Sequence, residues 1–256
     1  MNYILIDTYH MFIRHLRASL RMPIWLIFNI FQPIVWLVLY GQLFKNMVLL
    51  PGFPTGSYLQ FFAPGVITMT AFFGAGWAGM AIIQDIDRGV IDKMLTTPVN
   101  RIAIMLGRVL HTATTAAIQA LIVLFLSSLL GARVAGGFIG IIVIAFTAML
   151  VGIIFASFSN ALAILLKREE PVIAVLEFVL MPFMFLSSIM MPSKFMPAWI
   201  YIASEFNPVN WTVNAARTIM VEGLKWEKIL PNLELLLAMA IVAVILATFS
   251  FRKVRE

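Results

Sequence analysis

Along this chain, one short segment alternates between apolar and polar faces, and the longer apolar runs that follow do not. In residues 1–21, Leu5, Ile6, Tyr9, Phe12, Ile13, Leu16 and Leu20 recur at helical spacing on one side, while Asp7, His10, Arg14, Arg17 and Arg21 fall on the other. That is the pattern of a basic amphipathic helix lying in a membrane surface; a helix packed on a soluble core would show it too. The runs that follow cover residues 23–44, 58–83, 102–130, 138–166, 172–191 and 232–251. A bilayer core is crossed by about 20 residues of helix, so each run is predicted to span. Pro33 falls inside the first, where a membrane helix tolerates it. Ala71, Ala75 and Gly79 recur every four residues in the second, beside Gly74 and Gly76, a pattern that lets helix backbones approach closely. Residues 193–230 are too polar and too broken by Pro197 and Pro208 to cross in one piece. The prediction is a single all-α membrane domain over residues 1–256. It has an amphipathic interfacial helix, six transmembrane helices and a broken, re-entrant outer segment.

Composition supports lipid as the solvent. The chain is 62% hydrophobic and 12% charged, against about 25% charged in soluble domains. The net charge of +6 then reads as basic cytoplasmic loops, not as a nucleic-acid surface. With an even number of spans and a cytoplasmic N-terminus, the inner side collects Arg14, Arg17, Arg21, Arg88, Lys93, Arg101, Arg108, Lys167, Arg168, Arg252, Lys253 and Arg255. The outer side keeps Lys45, Arg133, Lys194, Arg217, Lys225 and Lys228. Twelve against six places both termini in the cytoplasm and predicts a multi-pass protein of the cell membrane. The first twenty residues lack the apolar core and small-residue cleavage site of a signal peptide.

Several chemistries are excluded. There is no cysteine, hence no disulfide, thiolate metal site or cysteine nucleophile. His10, His15 and His111 show no metal-ligand spacing with carboxylates, and no nucleophile elbow is present. The chain is predicted not to be an enzyme and to hold no cofactor or metal of its own. The sixteen methionines are spread through the spans as packing residues.

One polar stretch stands out: "DIDRGVIDKMLTTPVNR", residues 85–101. On a helix, Asp85, Arg88 and Asp92 align at i, i+3 and i+7, with Ile86, Val90, Ile91, Met94 and Leu95 opposite. Pro98 then stops the pattern, since proline disfavours helix in the residue before it. This predicts a short surface helix with a sharp end. Periodicity alone fits an ordinary solvated loop equally well.

The stretch resembles the first cytoplasmic loop of type-2 ATP-binding-cassette transporter permeases, through Gly89, Met94, Leu95, Thr97, Pro98 and Arg101. Val90 stands where that family usually has threonine, and Asp85 and Asp87 stand for glutamates. "LMPFMFLSSIMMP" (residues 180–192) is similar to a second stretch of the family, with Ser188 in place of glycine. "MPAWIYIASEFNPVNWTVNAAR" (residues 196–217) is similar to the segment after it, through Pro197, Asn207, Pro208 and Arg217. The resemblance covers nearly the whole chain and is nearest the drug-resistance exporter branch.

The resemblance implies a division of labour. The chain has no G-x-x-x-x-G-K-[ST] phosphate loop and few ionisable groups within its spans for a proton relay. A separate cytoplasmic ATP-binding-cassette ATPase would hold ATP and Mg, in a complex with two ATPases and two permease copies, identical or different. Ile86, Val90, Ile91, Met94 and Leu95 would dock in the ATPase, with Arg88 and Asp92 setting register at the rim. The first helix would slide on membrane lipid and touch the ATPase through Arg14 and Arg17. Pro192, Pro197, Asn207, Pro208 and Arg217 would shape an outer gate, with Asn207, Asn210 and Asn214 supplying caps. The same segment also reads as an interfacial loop anchored by Trp199, Tyr201 and Trp211.

Glu177, about five residues inside the fifth run, is either a substrate contact or a partner of Lys167 or Arg168. His111 and Gln119, with Ser157, Ser159 and Asn160, either line a pathway or bond helix to helix. The expected activity is export of an amphipathic or lipid-like compound such as a drug. Export of a polysaccharide or lipid-linked glycan and a non-transporting membrane scaffold are the alternatives.

Overall fold

The computed structural model describes residues 2–21, 23–96 and 99–252, with side chains except at 2–3, 23–30, 92, 95, 101 and 251–252. Every regular element among them is helical. In chain order these are α1 (Asn2–Leu20), α2 (Pro23–Leu43), α3 (Tyr58–Gly76), α4 (Met80–Asp87), α5 (Val90–Leu95), α6 (Arg101–Leu129), α7 (Gly137–Leu166), α8 (Glu169–Phe185), α9 (Ala198–Glu205), α10 (Pro208–Val221) and α11 (Trp226–Arg252). Single 3₁₀ turns lie at Lys45–Leu49, Trp77–Gly79 and Ser193–Phe195.

Among the described residues, four rods are long and apolar enough to cross a membrane: Tyr58–Asp87 (α3 and α4 joined by a 3₁₀ turn), Ile102–Leu129, Gly137–Leu166 and Trp226–Ser250. Of the two other predicted spans, α2 contributes the shorter apolar stretch Phe31–Leu43. Helix α8 has 17 residues, about 25 Å at 1.5 Å per residue, short of a hydrocarbon core of about 30 Å. It ends at Phe185, six residues before the apolar run does. Pro182 lies in its last turn, and the Leu186 N–H closes onto the Pro182 carbonyl at 2.8 Å. The apolar run therefore continues past the helix as irregular chain. Helix α11 starts at Trp226, six residues before the predicted span, and includes Pro231.

Helix α7, the most apolar of the four rods, is the central post, touched by α3, α4, α6, α8, α10 and α11. Small residues set its closest approaches. A Cβ added at Gly152 would lie 2.9 Å from the Ala116 Cβ of α6. One at Gly79, the last of the predicted small-residue stripe, would lie 2.6 Å from the Ser159 Oγ and 2.7 Å from its backbone carbon. Ala71 and Ala75 of that stripe are buried. At the other end of α3, an aromatic stack from Trp36 through Tyr40 and Phe62 to Tyr58 fastens α2. The Tyr58 hydroxyl donates to the Met190 carbonyl at 3.1 Å.

The first helix uses a seam that the two-faced pattern did not show. Thr8, Met11 and Phe12 pack on α6 at Gly107, where an added Cβ would lie 2.5 Å from the Met11 Cβ. This seam runs between the two expected faces and leaves Leu5, Ile6, Tyr9 and Leu20 exposed as an apolar strip.

Candidate functional site

The polar stretch that stood out in the sequence forms an elbow. The rod α3–α4 runs on to Asp87, then Arg88 ends the helix with its N–H on the Gln84 carbonyl at 3.1 Å. Gly89 has φ +63°, a left-handed conformation that a side chain disfavours and glycine accepts. Helix α5 leaves in a new direction. The predicted alignment of Asp85, Arg88 and Asp92 on one helix is therefore broken at Gly89.

The Asp85 side chain is 18% exposed and turned toward two guanidiniums. It accepts a hydrogen bond from Arg108 of α6, whose side chain is 5% exposed. Arg14 of α1 reaches the same carboxylate at 3.9 Å and the Met94 sulfur of α5 at 3.5 Å. One carboxylate and two guanidiniums thus link α1, α4, α5 and α6. Arg108 was not singled out in the sequence, although a lone arginine inside an apolar run needs a partner, and an aspartate at the end of the preceding span was available.

A second tie holds the far side of the elbow. The Asn100 N–H donates to Asp7 Oδ2 at 3.2 Å, and the Asn100 side chain accepts from the Ile102 N–H at 2.9 Å, capping α6. Further along, Ser19 Oγ and His111 Nε2 lie 2.9 Å apart. The His15 and His111 rings are 6.0 Å apart. His15 Nε2 is buried with no hydrogen-bond partner among the described residues. Burial, then the charges of Arg108 and Arg14 and the His111 ring, lower the His15 pKa to about 3; it is a neutral packing group at ordinary pH.

The predicted docking residues divide. Ile91 is 4% exposed and faces the chain's own interior. Ile86 and Met94 are half-buried against the core and Val90 is half-buried. Asp87, Arg88 and Lys93 are exposed. The side chains of Asp92, Leu95 and Arg101, and residues 97 and 98 entirely, lie outside the described residues. Arg14 is engaged as above, whereas Arg17 is exposed. Beside the elbow, Asp87 and Ile83 share a cleft of about 470 Å³ with Lys167, Arg168, Glu169 and Glu170. The turn from α7 into α8 therefore lies beside the elbow.

At the other end, α10 carries a polar ladder. Asn207 caps α10 by accepting from the Val209 N–H at 2.9 Å, with Pro208 in the first turn. Its amide donates to the carbonyls of Phe183 and Leu186, both at 2.7 Å. Asn210 accepts from the Ser188 N–H at 2.9 Å, and Asn214 from the Ser188 hydroxyl at 3.1 Å. Arg217 donates to the Ser188 carbonyl at 2.6 Å, to its hydroxyl at 3.0 Å and to the Phe61 carbonyl at 3.2 Å. These side chains satisfy the backbone freed where α8 ends, as irregular chain in an apolar setting requires. Pro192 is buried and Pro197, which precedes α9, is exposed.

The remaining candidates do not converge. His111 bonds to Ser19. Gln119 lies on Gly74 of α3, where an added Cβ would be 3.1 Å from its Oε1. Glu177 is exposed on α8 and forms no ion pair among the described residues. Ser159 accepts from the Gly79 N–H at 2.9 Å, while the side-chain polar atoms of Ser157 and Asn160 are buried without partners among the described residues. No group of histidine and carboxylate side chains among the described residues is placed to hold a metal.

Comparison with known proteins supplies the context for this geometry. The family described as ABC-2 type transporter matches residues 7–221. A protein named as a transport permease, ycf38, from Cyanophora paradoxa is 33% identical over 198 residues, covering 77% of this chain and 68% of that protein. A daunorubicin resistance ABC transporter permease protein, DrrB1, from Streptomyces coeruleorubidus is 29% identical over 211 residues, covering 81% and 72%. The ycf38 protein of Porphyra purpurea is 28% identical over 200 residues, covering 78% and 68%.

Proposed function

As this chain belongs to the ABC-2 type transporter family and is a membrane permease of it, we propose that it exports an amphipathic or lipid-like compound, driven by a separate ATPase subunit. The observation that carries the mechanism is the network of Asp85 with Arg108 and Arg14, and of Arg14 with Met94. A push on the elbow is delivered to α1 and α6 together, and through the continuous rod to α3. The partner ATPase holds ATP and Mg and supplies the work. Drug export rests on the relative named for daunorubicin resistance.

In this reading the chain has six spans, the four long rods with α2 and α8. Both termini face the cytoplasm, and a second permease copy completes the pathway. The ATPase meets the elbow through Arg88, Val90, Met94 and the surface carrying Asp92, Leu95 and Lys93, with Ile86 beneath. Ile91 holds α5 onto its own bundle. The cleft shared with Lys167 and Glu170 extends the contact. Helix α1 lies in the inner leaflet with its apolar strip toward lipid. Helices α9 and α10 form a re-entrant outer segment whose ladder keeps the gate in one piece.

The test is co-purification with the ATPase subunit and measurement of ATPase stimulation. Val90→Asp and Met94→Asp are expected to abolish stimulation while the permease still inserts and folds. Unchanged binding and stimulation in both would remove the elbow as the docking site.

A further inference from the structure

Away from the elbow, a cleft of about 500 Å³ opens between α10, the start of α11 and the loop before α3. Its floor carries Arg217. All three of that residue's hydrogen bonds go to neutral acceptors, the Phe61 carbonyl and the carbonyl and hydroxyl of Ser188. Its guanidinium carbon lies 3.9 Å from the centroid of the Phe61 ring. A guanidinium has five N–H groups, so two have no partner among the described residues, and no described carboxylate pairs with it.

The one carboxylate that lines the cleft among the described residues is already taken. Glu222 accepts from Lys225 at 2.8 Å and from Lys228 at 2.6 and 2.9 Å. Among the described residues that line the cleft, Lys228 and Glu222 offset each other and Arg217 leaves one positive charge. The Asn214 oxygen accepts from Ser188, which leaves its NH₂ group as a donor, and Asn214 and the Thr218 hydroxyl both belong to the lining. Donors in excess, held around an uncompensated guanidinium, are the chemistry of an oxyanion site.

The face of α11 below the cleft says what the anion is attached to. Lys228 and Asn232 line the cleft, and Leu235 follows at the i+7 position on the same helical face. Leu235 is 47% exposed, and Val242, two further turns along that face, is 54% exposed. A charged head in the cleft would therefore continue into a tail along α11. We propose that this cleft binds the phosphate of an anionic phospholipid, with an acyl chain laid against Leu235 and Val242. The excess positive charge selects a net-negative headgroup over a zwitterionic one. The site is at the opposite end of the rods from the elbow, and its test uses the permease alone, so it stands or falls separately from ATPase docking.

Three probes are titrated into the purified permease in a nonionic detergent and followed by native mass spectrometry: dihexanoyl phosphatidylglycerol, dihexanoyl phosphatidylcholine and inorganic phosphate. Wild type is expected to bind the glycerol lipid at least tenfold more tightly than the choline lipid, with phosphate weaker than either. Asn214→Asp keeps the oxygen that Ser188 bonds to and places a carboxylate beside Arg217. It is expected to weaken the glycerol lipid at least tenfold with an unchanged melting temperature. Leu235→Gln is expected to weaken the lipids and leave phosphate unaffected. Phosphate binding as tight as the lipid would overturn the lipid as its source. No binding of any probe, or equal binding by wild type and Asn214→Asp, would overturn the site.

Discussion

Asp85, in the last turn of α4, and Arg108, two turns into α6, form an ion pair that is almost enclosed. It joins the first long rod to the second just where the chain between them leaves the bundle. Removing one member of a buried pair costs about 3–5 kcal/mol, whereas replacing both with apolar groups is often neutral. Asp85→Ala is expected to destabilise the detergent-solubilised protein by about 3 kcal/mol. The double variant Asp85→Leu with Arg108→Met should recover most of that loss. Denaturant unfolding of the three proteins measures the coupling. The double variant is also expected to lose ATPase stimulation, since the elbow would be stable but no longer tied.

Asn207 does three jobs at once: it caps α10 and satisfies the carbonyls of Phe183 and Leu186. A lost cap costs about 1 kcal/mol, and buried carbonyls left unsatisfied cost about 1–3 kcal/mol each. Asn207→Ala is expected to lower stability by at least 2 kcal/mol. Proteolysis of the intact protein should then begin between Leu186 and Pro197, which the ladder holds. Cleavage elsewhere first would show that this segment has another anchor.

The small-residue stripe gives a steric prediction. A methyl at Gly79 meets Ser159 at 2.6–2.7 Å, including backbone that has no easy retreat. At Gly56, no atom of the described residues lies within 4 Å of an added Cβ. Gly79→Ala is expected to destabilise by about 1–3 kcal/mol, and Gly56→Ala to lie within about 0.5 kcal/mol of wild type. Thermal unfolding of both separates a packing requirement from a general intolerance of substitution.

His15 carries a pH dependence with a definite sign. Its folded pKa is lowered from 6.5 to about 3, so the unfolded chain binds its proton first. The stability that neutral His15 contributes is complete above about pH 6.5 and is lost as pH falls from there toward 3. Between pH 7 and 4, wild type is expected to lose more stability than His15→Leu. Parallel stability curves for the two proteins would contradict this.

The residues that the sequence revealed and those it hid differ in range of interaction. The long rods were legible because a run of apolar residues needs no partner to be recognised, and the predicted limits of α6 and α7 lie within one residue of the observed ones. Gly89 was visible as a motif residue, yet its left-handed turn, which splits the expected surface helix, depends on backbone geometry. Ile91 and Val90 share an apolar arc in sequence, and only packing shows that Ile91 points inward. The partners of Asp85 and Asp7 lie 23 and 93 residues away, beyond any local pattern. The α10 ladder was half legible: Asn207, Asn210, Asn214 and Arg217 recur on one helical face, but their shared target, the chain after α8, required the fold. The short α8 was hidden because its apolar run continues past the helix end.

The chain contains no cysteine, so Lys93→Cys, at an exposed position on α5, provides a single thiol. Its reaction with a membrane-impermeant maleimide can be measured in sealed right-side-out and inverted vesicles, with and without the ATPase subunit. Labelling in inverted vesicles only, and protection when the ATPase is bound, is the predicted result. Labelling from the outside, or labelling in inverted vesicles that the bound ATPase leaves unchanged, would contradict a bundle driven from the cytoplasm through its elbow.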